Sequence, residues 1–152
     1  PVVETPGYED TLQMIKEVNS DYLKMSLDPA GWWAKQTPGY VRQAVKDCRD
    51  YIIHSHWSSN YAETPKGEVI QVSQTWSGGS SHVRQQIFDF RTFVSELKKI
   101  GYKGYMSYEV CTPVQSTGEG PWYSVGDIQG IEEVDRRVKL AVKYMKKLIA
   151  EA

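Results

Sequence analysis

The chain has 152 residues, 40% of them hydrophobic, with 18 Lys and Arg against 19 Asp and Glu for a formal net charge of -1. Its basic residues are dispersed or lie on helix faces, such as Lys139, Lys143, Lys146 and Lys147, which leaves no basic stripe for nucleic acid. No apolar run reaches the roughly 20 residues of a membrane-spanning helix, and two cysteines, Cys48 and Cys111, supply neither a disulfide framework nor a Cys-x-x-Cys metal site.

Length and composition predict one domain over residues 1–152. The cysteine usage fits a reducing, cytoplasmic setting, and no signal peptide opens the chain. It begins at Pro1 rather than Met, which points to a segment upstream.

In chain order, residues 1–8 read as extended or looped. Asp10-Thr11 offers a cap to a helix with Leu12, Ile15 and Val18 at helical spacing. Tyr22 to Leu27 reads as a strand ending on Asp28-Pro29, since proline stops a central strand. Gly31-Trp32-Trp33 makes a loop, and Thr37-Pro38 opens a second helix with Val41, Ala44, Val45 and Cys48 inward. Tyr51-Ile52-Ile53-His54-Ser55-His56 is a strand whose two imidazoles, two residues apart, face the same way.

Regular patterning then fails over residues 60–88, where only Val69 to Val72 suggests a small hairpin. Asp89 caps a helix burying Phe90, Phe93, Val94 and Leu97, stopped by Gly101. Gly104 to Val110 is a strand with Tyr105, Ser107 and Glu109 on one face. After a second loop, residues 111–130 with Trp122 and Tyr123, a closing helix from Ile131 to Ala150 turns Val134, Val138, Ala141, Met145 and Leu148 inward.

Strands alternating with helices specify parallel βαβ units, whose chemistry sits beyond the carboxyl ends of the strands. Those ends hold Asp28, His54 with His56, and Glu109. Each has a structural explanation by itself: a turn aspartate, a core histidine, an acid paired with a lysine. Two carboxylates and an imidazole at one end of a sheet make a divalent-cation site with open positions.

The order of these motifs, and above all the segment from Leu97 through Gly101-Tyr102-Lys103-Gly104-Tyr105-Met106-Ser107-Tyr108-Glu109, resembles the carboxyl half of the sugar phosphate isomerase/epimerase family. That family belongs to the xylose-isomerase-like barrel superfamily. The resemblance implies an α/β fold: the C-terminal part of a (β/α)8 TIM barrel with parallel strands. A complete barrel needs about 250 residues, so the remaining strands would come from a second polypeptide, another copy or an upstream segment.

The family holds its metal with Glu, Asp, His and Glu at successive strand ends. Carried across, Asp28, His56 and Glu109 match the second, third and fourth ligands, and His54 faces the same pocket. Glu4 is the one candidate for the first ligand within the chain, but its short interval to Asp28 favours a glutamate upstream. Two departures stand out: Gly31 occupies the position where ketose-acting members often carry a histidine, and the His-x-Asn-Asp segment of endonuclease IV is missing.

The activity so implied is sugar isomerisation or epimerisation through an enediolate. The ion, manganese first with magnesium, cobalt or zinc as alternatives, would act as Lewis acid. Glu109 would be one of the acid–base pair, and His54 and Arg84 would orient hydroxyls. Trp32, Trp33, Trp57 and Trp122 are candidates to stack on a sugar or an aromatic aglycone. Two other functions fit the same resemblance: part of the large subunit of a C-glycoside deglycosidase acting on an oxidised sugar, and a non-catalytic half-barrel subunit. An oligomer is expected, because an open half-barrel exposes strand edges.

Overall fold

The computed structural model describes residues 2–3, 7–29, 37–73, 88–109 and 131–152. They divide into two compact units. The first takes in the chain to Trp57, residues 88–107 and the last five residues; the second takes in residues 58–87 and 108–147.

A four-stranded sheet in the order β1-β2-β3-β6 organises the first unit, built from β1 (Val2–Val3), β2 (Lys24–Leu27), β3 (Ile52–Trp57) and β6 (Tyr105–Tyr108). β1 runs parallel to β2, and β2 to β3. A register irregularity between Met25 and Ser26 places Ser26 opposite His54 and Leu27 opposite Ser55. There the Ser55 hydroxyl donates to the Leu27 carbonyl at 2.8 Å. Strand alternation sends Met25, Leu27, Ser55 and Trp57, all buried, to one face. Lys24, Ser26 and Asp28 share the other face with His54 and His56.

Three helices belong to this unit, and their ends follow local chemistry. α1 (Tyr8–Val18) buries Tyr8, Thr11, Leu12 and Ile15, a spacing of three and four that makes one apolar stripe. It begins before the expected Asp10 cap, with Gly7 as N-cap; Glu9 and Asp10 lie in its first turn instead, where negative charge offsets the helix dipole. Asn19 ends it in the left-handed conformation, φ 47°, and donates its N–H to the Ile15 carbonyl.

α2 (Pro38–Cys48) starts as expected, with the Thr37 hydroxyl accepting from the Tyr40 N–H at 3.2 Å and proline in the first turn. Its buried residues are Val41, Ala44, Val45 and Cys48. α3 (Phe90–Lys99) is capped by Asp89, which accepts from the Thr92 N–H at 3.0 Å and the Thr92 hydroxyl at 2.6 Å. It stops at Gly101, whose φ of 72° suits a residue without a Cβ. Phe88, Phe90 and Phe93 form an aromatic cluster, with ring centroids 4.7 Å apart for Phe88–Phe90 and 6.2 Å for Phe88–Phe93.

Two tyrosine–carboxylate bonds tie α1 to α2. The Tyr8 hydroxyl donates to Asp47 at 2.9 Å and the Tyr40 hydroxyl to Glu9 at 2.7 Å, with the rings 5.3 Å apart. Burial and then the Asp47 bond raise the pKa of Tyr8; burial and then the Glu9 bond raise that of Tyr40. Burial also pushes Cys48 up to about 12 and Tyr102 up to about 12.

The folded state therefore holds these protons more tightly than the unfolded chain, where thiol and phenol titrate near 9.0 and 10.0. Their contribution to stability is whole below those values and is lost as pH rises through the raised ones. The denaturation midpoint should hold level up to about pH 9 and fall steadily above it. Tyrosinate absorbance should lag behind that of a free-tyrosine control until unfolding. A midpoint that is flat through strong alkali would contradict the buried pairs.

The second unit contains a β-hairpin, β4 (Asn60–Glu63) with β5 (Val69–Ser73), paired antiparallel. Val69–Val72 was the expected strand, and Asn60–Glu63 is its partner. The turn between them includes Gly67 at φ 78°. α4 (Ile131–Glu151) runs through this unit, and its last turn is assigned to the first. Ala141, Met145 and Leu148 are buried as expected, joined by Leu140, whereas Val134 and Val138 are half-buried. Lys143 bridges to Glu63 at 2.7 Å and to the Gly67 carbonyl at 3.1 Å. Among the described residues no helix is long and apolar enough to cross a membrane.

Candidate metal centre

Asp28 directly follows β2, His56 is the penultimate residue of β3, and Glu109 directly follows β6. Each strand thus delivers one candidate donor at, or one residue beyond, its carboxyl end. One ligating atom from each of the three residues lies within 4.8 Å of the other two. Donors around a single ion, bound at about 2.0–2.4 Å, are separated by about 3 Å when adjacent and by up to about 4.8 Å when opposite. Two carboxylates and one imidazole at these separations fit a divalent cation and leave positions open to other ligands.

Asp28 and His56 are half-buried and Glu109 is exposed. His54 shares the strand face of His56, and the two rings meet edge-on with centroids 5.0 Å apart. Ser26, on the same face as Asp28, is 4% exposed, and its hydroxyl has no hydrogen-bond partner among the described residues. Sequence reasoning passed over Ser26, although its place two residues before Asp28 on a strand was the available signal.

The other expected site residues fare differently. Trp57 is only 2% exposed: it packs edge-to-face on Phe90, centroids 6.2 Å apart, and its indole N–H donates to the Met106 carbonyl at 3.4 Å. Strand alternation turns it away from His54 and His56, so it has no surface on which to stack a sugar and belongs to the scaffold. Trp32, Trp33, Arg84 and Trp122, together with Glu4 and Cys111, lie outside the described residues. Tyr105, on the strand face of Glu109, is 83% exposed.

Comparison with known proteins agrees with this architecture. Residues 4–148 match the family described as the xylose isomerase-like TIM barrel. The chain belongs to that family.

Similar solved structures of this xylose isomerase-like chain include D-psicose 3-epimerase from Clostridium cellulolyticum H10, determined with D-tagatose. The TM-score is 0.63 at 16% identity, over 95% of this chain and 44% of that one. They also include 3-keto-D-glucoside 4-epimerase from E. coli in its apo form, with a TM-score of 0.51 at 18% identity, over 90% of this chain and 38% of that one. The chain thus spans less than half the length of either, and its parallel sheet is part of a barrel. None of the curated proteins matches the chain in sequence.

Proposed function

We propose that the protein carrying this chain is a divalent-metal-dependent sugar isomerase or epimerase. The observation that carries this reading is the meeting of Asp28, His56 and Glu109 within 4.8 Å, in a chain of the xylose isomerase-like family. Manganese is the first choice of ion for a mixed carboxylate and imidazole site, with magnesium, cobalt and zinc as alternatives. When bound, the ion supplies Lewis-acid stabilisation of the negative charge that develops on the substrate oxygens as an enediolate forms.

The chain's own residues do the rest. Asp28 and Glu109 bring the negative charge that a cation requires, and His56 donates through a neutral ring nitrogen. Glu109, the most exposed of the three, takes the proton from the carbon beside the carbonyl and can return it. His54, whose ring meets that of His56 edge-on, holds a substrate hydroxyl in this reading. Trp32, Trp33, Arg84 and Trp122 remain candidates for contact with the substrate. A glutamate upstream of this chain supplies the remaining ligand, and a second polypeptide or an upstream segment supplies the other strands.

A second reading is C-glycoside deglycosidation of an oxidised sugar. It is favoured by the likeness to an enzyme named for a 3-keto-glucoside, since both substrates pair a carbonyl with a glycosidic substituent.

The test is native mass spectrometry of the full-length protein or complex, followed by incubation with Mn2+ and a ketose in D2O. One divalent ion per complete barrel, with deuterium entering the carbon beside the carbonyl, is the expected result. Metal binding with no deuterium entry into any ketose, but cleavage of an oxidised aryl C-glycoside, would turn the assignment to the second reading. A metal-free protein would overturn both and leave the non-catalytic subunit.

A further inference from the structure

Each of the last two metal-ligand candidates has an aromatic neighbour in sequence, and both neighbours hydrogen-bond to a backbone carbonyl. Trp57 follows His56 and donates its indole N–H to the Met106 carbonyl on β6 at 3.4 Å. Tyr108 precedes Glu109 and donates its hydroxyl to the carbonyl of Ser59, three residues beyond His56, at 2.8 Å. The two bonds are reciprocal in direction: β3 reaches to β6, and the end of β6 reaches to the continuation of β3.

The Tyr108 bond is the shorter, and its surroundings hold it in place. Its ring meets Tyr61 at a steep angle, centroids 6.3 Å apart, and Tyr61 in turn lies 4.8 Å from Tyr144 of α4. Gln71 on β5 donates to the Ser59 hydroxyl at 2.9 Å, fixing the residue whose carbonyl Tyr108 uses. Gln71 and Ser59 are buried, so these bonds compete little with water.

Glu109 lies one residue beyond the end of β6, next to Tyr108 in the chain. A donor that strays by even 1 Å from its place loses much of its affinity for the ion, and partners behind the ligands typically contribute 10- to 100-fold. We infer that Tyr108 is a positioning residue of the metal centre: its hydroxyl, bonded to Ser59, holds the backbone from which Glu109 projects. The inference rests on the metal-site reading above.

The test compares Mn2+ binding by the full-length protein with that of Tyr108→Phe, which keeps the ring and removes only the hydroxyl. Calorimetry gives the affinity, and the electron paramagnetic resonance spectrum of the bound Mn2+ reports the symmetry of its ligands. Tyr8→Phe is the control: it removes a comparable tyrosine hydrogen bond, to Asp47, between α1 and α2.

The expected result is an affinity about 10-fold weaker in Tyr108→Phe, with a broadened Mn2+ spectrum, and no change in either for Tyr8→Phe. An affinity within twofold of the parent would overturn the inference and leave the metal site standing. So would an equal loss in both variants, because general loosening would then explain it. A parent protein that binds no Mn2+ would remove the site itself, and the inference with it.

Discussion

Glu109→Gln in the full-length protein is expected to lower ketose turnover by about 10²- to 10⁴-fold, the range over which a positioned acid or base contributes. Glutamine keeps the size of the side chain and one oxygen donor, but it can neither take a proton nor carry charge. The control that separates these roles is Asp28→Asn, which removes charge from the same cluster at the end of a different strand. Saturating Mn2+ should restore much of the turnover of Asp28→Asn and little of that of Glu109→Gln. The quantity to measure is the rate at which deuterium from solvent enters the carbon beside the carbonyl. If Glu109→Gln exchanges as fast as the parent once metal is saturating, the proton is taken by another group, and Glu109 is a ligand alone.

The second large effect is on stability. Phe93→Ala should destabilise the protein by about 3–5 kcal/mol, the usual cost of deleting a buried aromatic ring together with the cavity it leaves. Phe93 is wholly buried on α3, where its ring lies 6.2 Å from that of Phe88 and so helps close the aromatic cluster. Arg91, two residues earlier on the same helix, gives the contrast. Its ion pair with Glu151 is 2.7 Å long but exposed on both sides, so Arg91→Ala should cost well under about 1 kcal/mol. Urea denaturation would show the difference as a shift of midpoint at constant slope for Phe93→Ala. A cost below about 1 kcal/mol for the phenylalanine would mean that this face of α3 is not a core face.

Those two side chains also illustrate where the sequence sufficed. The spacing of Phe90, Phe93, Val94 and Leu97 between an Asp89 cap and the Gly101 stop is complete within residues 89–101, and the helix forms there with those residues buried. The same holds for Thr37-Pro38 and the stripe Val41, Ala44, Val45 and Cys48. Caps, periodicity and the positive-φ glycine act over one or two turns, so a local pattern is enough to read them. Strand alternation likewise put His54 and His56 on one face, and the strand ends could be read at Asp28 and Glu109.

Other features depended on residues far apart in sequence. Trp57 reads as a candidate for a sugar-binding mouth, because a tryptophan beside a histidine ligand is chemically suited to that role. Its burial was decided by Phe90 and by the Met106 carbonyl, which is separated from Trp57 by 49 residues. The pairing of Asn60–Glu63 with Val69–Ser73 was not visible, since Asn60-Tyr61-Ala62-Glu63 has weak strand character until a partner satisfies its backbone.

The Tyr8–Asp47 and Tyr108–Ser59 bonds span 39 and 49 residues. No local pattern announces them. The identities of Asp28, His56 and Glu109 as possible ligands were written in the sequence. Their approach to within 4.8 Å was decided by the sheet, because side-by-side pairing of distant strands is what places their ends together.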